Sequence, residues 1–473
     1  MGSKFTSNKR KGKSKQINFK NLLENIKSKY ILKQILDNIH KVNQLRIFKY
    51  NKKTRNLLNI TTNEYKEYSQ IELEMQISQY RFGKFINFKE EDKLYYHIYF
   101  NNNDKEEIKR NYLNEKEKVS NIKIIIDYQI KSFNDLFKDC KCIESIIFKK
   151  FYRSNINVMN YMFFGCPFIN EINFSKFNTK NVTEMNGMFF GCKSLKELDL
   201  SNFNTKNVTT IRGMFTNCVF LETINFSNFN TNKVTDMSLL FDGCSYLRKI
   251  DVANFNTNNV IDMGNMFGGC SALEELNIIN LNTENVTYMS GMFSGCLSLK
   301  KINLSNFNTK NVTNMSYLFS GCSSLKEINI SNFDTNNVVD ISNLFSNCSS
   351  LEKINLSNIN TENTKKMGGI FHGCSSLKEI NLSNFNTGKV IDMSEMFSRC
   401  SSLKQLDLSN FNTNKVIDMR EMFYECISLE DLNINNFNFD NVKDMRRMFL
   451  GCSDELKNKI RGANMNIDDE AYK

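Results

Sequence analysis

Proline occurs once in 473 residues, tryptophan not at all and histidine three times (His40, His97, His372). So little proline argues against a loop-rich or linker-rich chain. Three scattered histidines leave no material for a histidine-based active site or zinc cluster. No run of eighteen apolar residues is present, so the sequence predicts no membrane-spanning helix. The motifs G-x-x-x-x-G-K-[ST], H-E-x-x-H and G-x-S-x-G are also missing, and no enzyme activity or cofactor is expected. What is abundant is phenylalanine (39), methionine (21) and cysteine (14), against an ordinary hydrophobic content of 41%. A core can form, and the skew calls for a repetitive cause.

Charge is uneven. Residues 1–60 hold 16 Lys and Arg against two acids, Glu24 and Asp37, a balance of +14. The whole chain carries +11, so residues 61–473 carry −3. A front of this kind suits an anionic surface.

Cysteine spacing supplies the architecture. Thirteen cysteines fall every 26 residues from Cys140 to Cys452, and only Cys142 is out of register. Twelve complete units therefore occupy 140–451, the mark of a solenoid whose units bury their apolar faces against their neighbours. In the unit from Cys322 to Cys348, Leu325, Ile328, Ile330 and Phe333 read L-x-x-I-x-I-x-x-F. The step of two at Ile328/Ile330 predicts a short strand. Val338, Ile341, Leu344 and Phe345 then follow at steps of three and four, predicting a two-turn helix with Asn337 as N-cap and Asp340 completing a capping box. The fold expected is an α/β solenoid, a right-handed leucine-rich-repeat-like array of strand, turn and short helix. Gly precedes the ladder cysteine in eight of twelve units and Asn in two, as a left-handed helix stop requires.

The repeat explains the composition. One Phe, from Phe163 to Phe449, recurs in all twelve units; another, from Phe151 to Phe437, in ten. Eighteen methionines occupy two positions of the repeat, as in Met393 and Met396. All fall at core-facing periods. Adjacent helices need ~8–10 Å between axes, too far for a disulfide, so the cysteines are expected as free buried thiols. Of two asparagine ladders, Asn306/Asn332/Asn358 reads as structural and Asn303/Asn329/Asn355 as exposed on the strand face.

Stretches such as "FSGCSSLKEINISNFDTNNVVDISNLF" and "GCKSLKELDLSNFNTKNVTTIRGMF" resemble the 26-residue repeat of BspA-like leucine-rich-repeat surface proteins. The likeness covers about 140–452. It implies a right-handed solenoid and a non-enzymatic, protein-binding role, often in adhesion. Residues 1–20 lack the apolar segment of a secretory signal. Instead Met1-Gly2-Ser3-Lys4-Phe5-Thr6 fits the N-myristoylation pattern M-G-x-x-x-[ST] at Gly2, and Lys4, Lys9, Arg10, Lys11, Lys13 and Lys15 follow. A lipid chain with a basic patch makes a two-signal membrane anchor, so a cytoplasmic, membrane-associated protein is expected, with the cell surface as the alternative.

Residues 21–60 form a helical module by pattern. "ILKQILDNIHKVNQLRIFKYNKKTRNLLN" is loosely similar to an F-box, a small helical module that binds an adaptor protein, but has neither its Leu-Pro opening nor its late Trp. Residues 61–139 are expected to be an α+β N-terminal cap, with strands at Ile71–Ile77, "GKFINF" and "LYYHIYF" and a charged helix over 105–118. Residues 452–473 lose the repeat and should cap the other end. The partner-binding surface is placed on the outward strand residues Glu275, Lys301, Glu327, Lys353 and Glu379, with Asn277, Asn303, Asn329, Asn355 and Asn381 beside them. That ribbon is polar and regular, and suits an extended protein partner rather than a small molecule or nucleic acid. Neither a metal nor a cofactor is expected.

Overall fold

The computed structural model describes residues 26–39, 44, 47, 51–59, 69–78, 80–463 and 467–473. The candidate lipidation and membrane-contact residues, Gly2 to Lys15, lie outside them. The chain divides into two compact units, 1–70 and 71–473.

In the first unit, helix α1 (Lys29–Asp37) starts at Ser28, whose hydroxyl accepts from the Ile31 N–H. Helix α2 (Lys52–Leu57) is capped by the Asn51 side chain on the Thr54 N–H at 2.9 Å. Leu32 and Leu36 are buried, with Ile26, Ile35, Ile39, Ile47, Leu57 and Leu58 packed around them. Ile31, on the same helix α1, is 51% exposed.

The second unit opens with β1 (Ile71–Ile77), β2 (Gly83–Lys84), β3 (Tyr96–Phe100), β4 (Tyr112–Leu113), β5 (Asn121–Ile126), β6 (Ile143–Lys150) and β7 (Glu171–Asn173). Five of these make one sheet in the order β3-β5-β1-β6-β7. Strand β6 is antiparallel to β1 and parallel to β7, so the cap passes its sheet directly into the array. The alternation of Ile71, Leu73, Met75 and Ile77 holds: all four are buried. The charged helix expected over 105–118 does not form. That segment is turns and β4, because Arg110 folds back onto Glu117 and Ile108 bridges to Ile98 instead of following a helical ladder.

From β7 onward, 26-residue rungs stack as a parallel β-solenoid. Short strands line one wall: β8 (Glu197–Asp199), β9 (Thr223–Asn225), β10 (Glu275–Leu276), β11 (Lys301–Ile302), β12 (Glu327–Asn329), β13 (Lys353–Asn355), β14 (Gln405–Asp407) and β15 (Asp431–Asn433). They pair in register, with Glu327 beside Lys353 and Asn329 beside Asn355. The other wall carries a second ladder of single parallel bridges, from Ser132↔Val158 to Asp418↔Asp444.

The expected helix of each unit is absent. Alternate amides of the turn wall donate across rungs: Ile341, Asn343, Phe345 and Asn347 N–H reach the carbonyls of Lys366, Gly368, Ile370 and His372 at 2.6–3.1 Å. The amides between them close tight turns within the rung, such as Leu344 to Ile341 and Cys348 to Phe345. Neither set leaves room for a helical i→i−4 ladder. Two residues per rung, four apart, are also left-handed, as at Asn343 (φ 57°) and Asn347 (φ 58°). The helix-like spacing of Val338, Ile341, Leu344 and Phe345 arises because three-residue turns also return side chains to one face. Asn337 is no N-cap; its amide donates to the Lys310 carbonyl at 2.7 Å, and Asp340 accepts from the Ser342 N–H in a local turn.

The left-handed position before each cysteine is where glycine matters. At Gly269 (φ 63°) an added Cβ would sit 3.1 Å from Gly243 Cα in the rung below. Yet Glu395, Arg399, Glu421, Glu425 and Arg447 take the same conformation. Each costs about 1 kcal/mol there relative to glycine, while an exposed ion pair returns only about 0.2–1 kcal/mol.

Between the walls runs an unbroken column of stacked rings from Phe137 through Phe163 and its eleven repeats to Phe449, with centroids 5.3–6.0 Å apart. Tyr472 continues it at 5.4 Å. The tail thus caps the array: the Arg447 and Phe449 amides, left without a following rung, donate to Glu470 and Ala471 carbonyls. Helix α3 (Asp454–Gly462) buries Leu456 and Ile460 beside it.

All fourteen cysteines are free and buried. The spacing expected of helices does not apply, since rungs repeat at the ring spacing. Instead each repeat thiol from Cys166 to Cys452 turns to the carbonyl of the Phe 29 residues earlier, as Cys348 to Phe319 at 3.1 Å, while Cys140 turns to the Lys138 carbonyl. Burial pushes the Cys348 and Cys400 thiols up to about 12.

Candidate partner-binding face

The strand wall is built by alternation. Along the wall the central residue packs inward, fully at Leu276 (6% exposed) and Ile328 (5%) and partly at Ile302 and Ile354, and its two neighbours face solvent. Glu275, Lys301, Glu327, Lys353 and Glu379 are all exposed, as are Asn277, Asn303, Asn329, Asn355 and Asn381. The structure gathers those from 275 to 355 into one open groove of about 870 Å³. Glu379 and Asn381 lie on the next rung, outside its lining. A second hollow of about 780 Å³ continues the same wall over Glu171, Lys196, Glu197, Asp199 and Thr223.

The asparagine row is held by its own turns. Asn303, Asn329, Asn355 and Asn381 each accept, through Oδ1, the amide of the serine two residues on, at 3.0–3.1 Å. These bonds fix the side chains at the rim as the strand ends. Asp199 and Asp407 take the same place in other rungs, and the amides of Ser201 and Ser409 hold their carboxyls below the usual range. The charges nearly cancel along the wall. Lys300 pairs with Glu274 at 2.9 Å, which lowers the Glu274 carboxyl and raises the ammonium. Field steering by this surface is therefore weak.

Asn306 and Asn358, on the other ladder, donate to the Ile279 and Ser331 carbonyls 27 residues earlier, so that ladder is a spine. A third column was not singled out by the sequence reading. Thr179, Thr205 and their equivalents to Thr413 are at most 3% exposed. Each hydroxyl donates to the next rung's carbonyl, and all but Thr309 also accept its amide, as Thr335 does with Asn360 at 2.8 Å both ways. The 26-residue recurrence of Thr309, Thr335 and Thr361 was the available signal. The described residues contain no group of three or more His, Cys, Asp or Glu side chains placed to hold a metal ion.

A two-walled stack of 26-residue rungs, with ring, thiol and hydroxyl columns between the walls, defines a solenoid repeat protein of the leucine-rich-repeat-like kind. The chain belongs to the family described as "Mycoplasma protein of unknown function, DUF285", whose model matches residues 131–249, 219–303, 297–381 and 350–463. No curated protein matches it. Among solved structures, a leucine-rich repeat protein from Eubacterium ventriosum is 13% identical, with 59% of this chain and 95% of that one covered and a TM-score of 0.25. The TLR13-ssRNA13 complex is 14% identical, with 61% and 69% covered and a TM-score of 0.11. At those scores neither likeness bears on function.

Proposed function

We propose that this chain is a non-enzymatic protein-binding scaffold of the BspA-like type, whose strand wall takes an extended partner. The observation that carries this reading is the groove over 275–355, where four rungs present the same polar pair of columns above a rigid core. A groove this open and polar does not enclose a small ligand, which needs a concave apolar pocket. A photo-crosslinker at Asn329 should capture a partner, and one at Thr313 on the opposite wall should not. Exchanging charges as Glu327→Lys with Lys353→Glu keeps the net charge and the pairing, and should weaken capture while leaving thermal unfolding unchanged. If capture survives that exchange but is lost on deleting residues 1–60, the array is a spacer and the N-terminal unit is the recognition element.

The N-terminal sequence supports a further part of the proposal, attachment to the cytosolic face of a membrane through Gly2 and the basic residues Lys4 to Lys15. Gly2→Ala should release the protein from membranes. Labelling of the array on intact cells would instead favour a surface adhesin, and copurification of an F-box adaptor would favour a substrate receptor.

A further inference from the structure

The last rungs differ from the others on the turn wall. Elsewhere the paired left-handed positions are mostly Gly, Asn or Asp, with Tyr161, Leu239 and Tyr317 as isolated exceptions. From 395 to 447 five in succession are charged: Glu395, Arg399, Glu421, Glu425 and Arg447. Four of the seven arginines within 140–451, Arg399, Arg420, Arg446 and Arg447, fall in the same stretch of an otherwise lysine-rich chain. They interlock across rungs, Arg399 with Glu425 at 3.1 Å, Arg420 with Glu395 at 3.5 Å and Arg447 with Glu421 at 3.6 Å. Arg446 forks onto Asp444.

Ion pairing does not account for this choice, because its return is smaller than the backbone cost at those five positions. Other features point outward. The Arg447 side chain is 60% exposed against 24% for Glu421, and Arg399 56% against 44% for Glu425. A guanidinium with one carboxylate contact keeps further N–H donors free. Arg399 lies 5.6 Å above the Tyr424 ring, and Ile427, three residues further along the chain, is 62% exposed where most rungs carry a serine or lysine. Arginine and tyrosine are enriched in interface hot spots, and lysine is depleted from interfaces.

We infer that the turn wall over 395–447 is a second protein-binding surface, separate from the strand groove, whose partner brings carboxylates to Arg399 and Arg447 and an apolar side chain to Tyr424 and Ile427. A nucleic acid fits poorly, because Glu395, Glu421 and Glu425 stand among the arginines and would repel a continuous phosphate backbone.

The test uses the full chain and a fluorescein-labelled peptide of net charge near zero, with two Glu residues set apart by Leu, Ser and Lys, and fluorescence anisotropy as the readout. The wild type should bind it, Arg399→Gln with Arg447→Gln should bind about tenfold or more weakly, as expected when charged contacts are truncated, and the corresponding Lys pair should fall between. Ile427→Ser should also weaken binding. Glu395→Gly and Glu421→Gly should raise the melting temperature, since they relieve the backbone. The inference is overturned if the wild type ignores the peptide, if the Gln pair binds equally well, or if a single-stranded oligonucleotide binds more tightly than the peptide. It is equally overturned if the glycine variants melt lower, because the charges would then be braces.

Discussion

Removing one ring from the central column tests the energetic picture most directly. Phe345 is fully buried and lies between Phe319 at 5.7 Å and Phe371 at 6.0 Å, nearly parallel to both. A buried Phe→Ala change costs about 3–5 kcal/mol, and the neighbours on both faces place this one near the upper end, at about 5. The rungs above and below are held apart by cross-rung bonds, such as Phe345 N–H to the Ile370 carbonyl, so the hole cannot close by collapse. Because rungs touch only their neighbours, the loss should be local. Hydrogen exchange by mass spectrometry reads this rung by rung. Amides from about Phe319 to Phe371 should exchange roughly 10³-fold faster, since each 1.4 kcal/mol is a factor of ten, while those over Thr205–Phe241 change little. Phe345→Leu, which keeps more volume, should produce a much smaller and equally local effect. A uniform rise across the whole array would refute nearest-neighbour coupling.

Three further outcomes follow from the columns and turns. The repeat thiols should resist a maleimide reagent under native conditions and all react in denaturant, because burial raises their pKa and hides them; native disulfides in an intact-mass measurement would contradict this. Thr335→Val should lower stability by about 1–3 kcal/mol in denaturant melts by stranding the Asn360 amide and carbonyl, while Thr335→Ser should change it little. Gly269→Ala should destabilise by about 2 kcal/mol, and Leu239→Gly, at the companion left-handed site, should stabilise by about 1 kcal/mol; equal effects of the two would mean that the backbone conformation is not what these positions select.

Much of this molecule is set by local repetition. The 26-residue cysteine period fixes the solenoid, because a unit that small buries apolar surface only by stacking. Alternation at Ile328/Ile330 fixes the strand, and from it the exposure of Glu327 and Asn329 followed without coordinates. Free buried thiols were also legible, though for a reason that the structure replaces: their sulfurs are committed to phenylalanine carbonyls. The identity of inward residues along 338–345 was legible too.

Their backbone was not. A spacing of three and four is shared by a helix and by consecutive three-residue turns, and only the partner of each amide tells them apart. That partner lies 25 residues away, in the next rung, so no window along the chain contains it. The same reason hid the threonine column, whose hydroxyls bond to a neighbouring rung, and the ion pairs of 395–447, whose members are about one repeat apart. The sequence determined the period, the core columns and the outward face. The tertiary structure decided the backbone between them, because in a stack of thin rungs the hydrogen bonds that choose the conformation run along the axis of the stack and not along the chain.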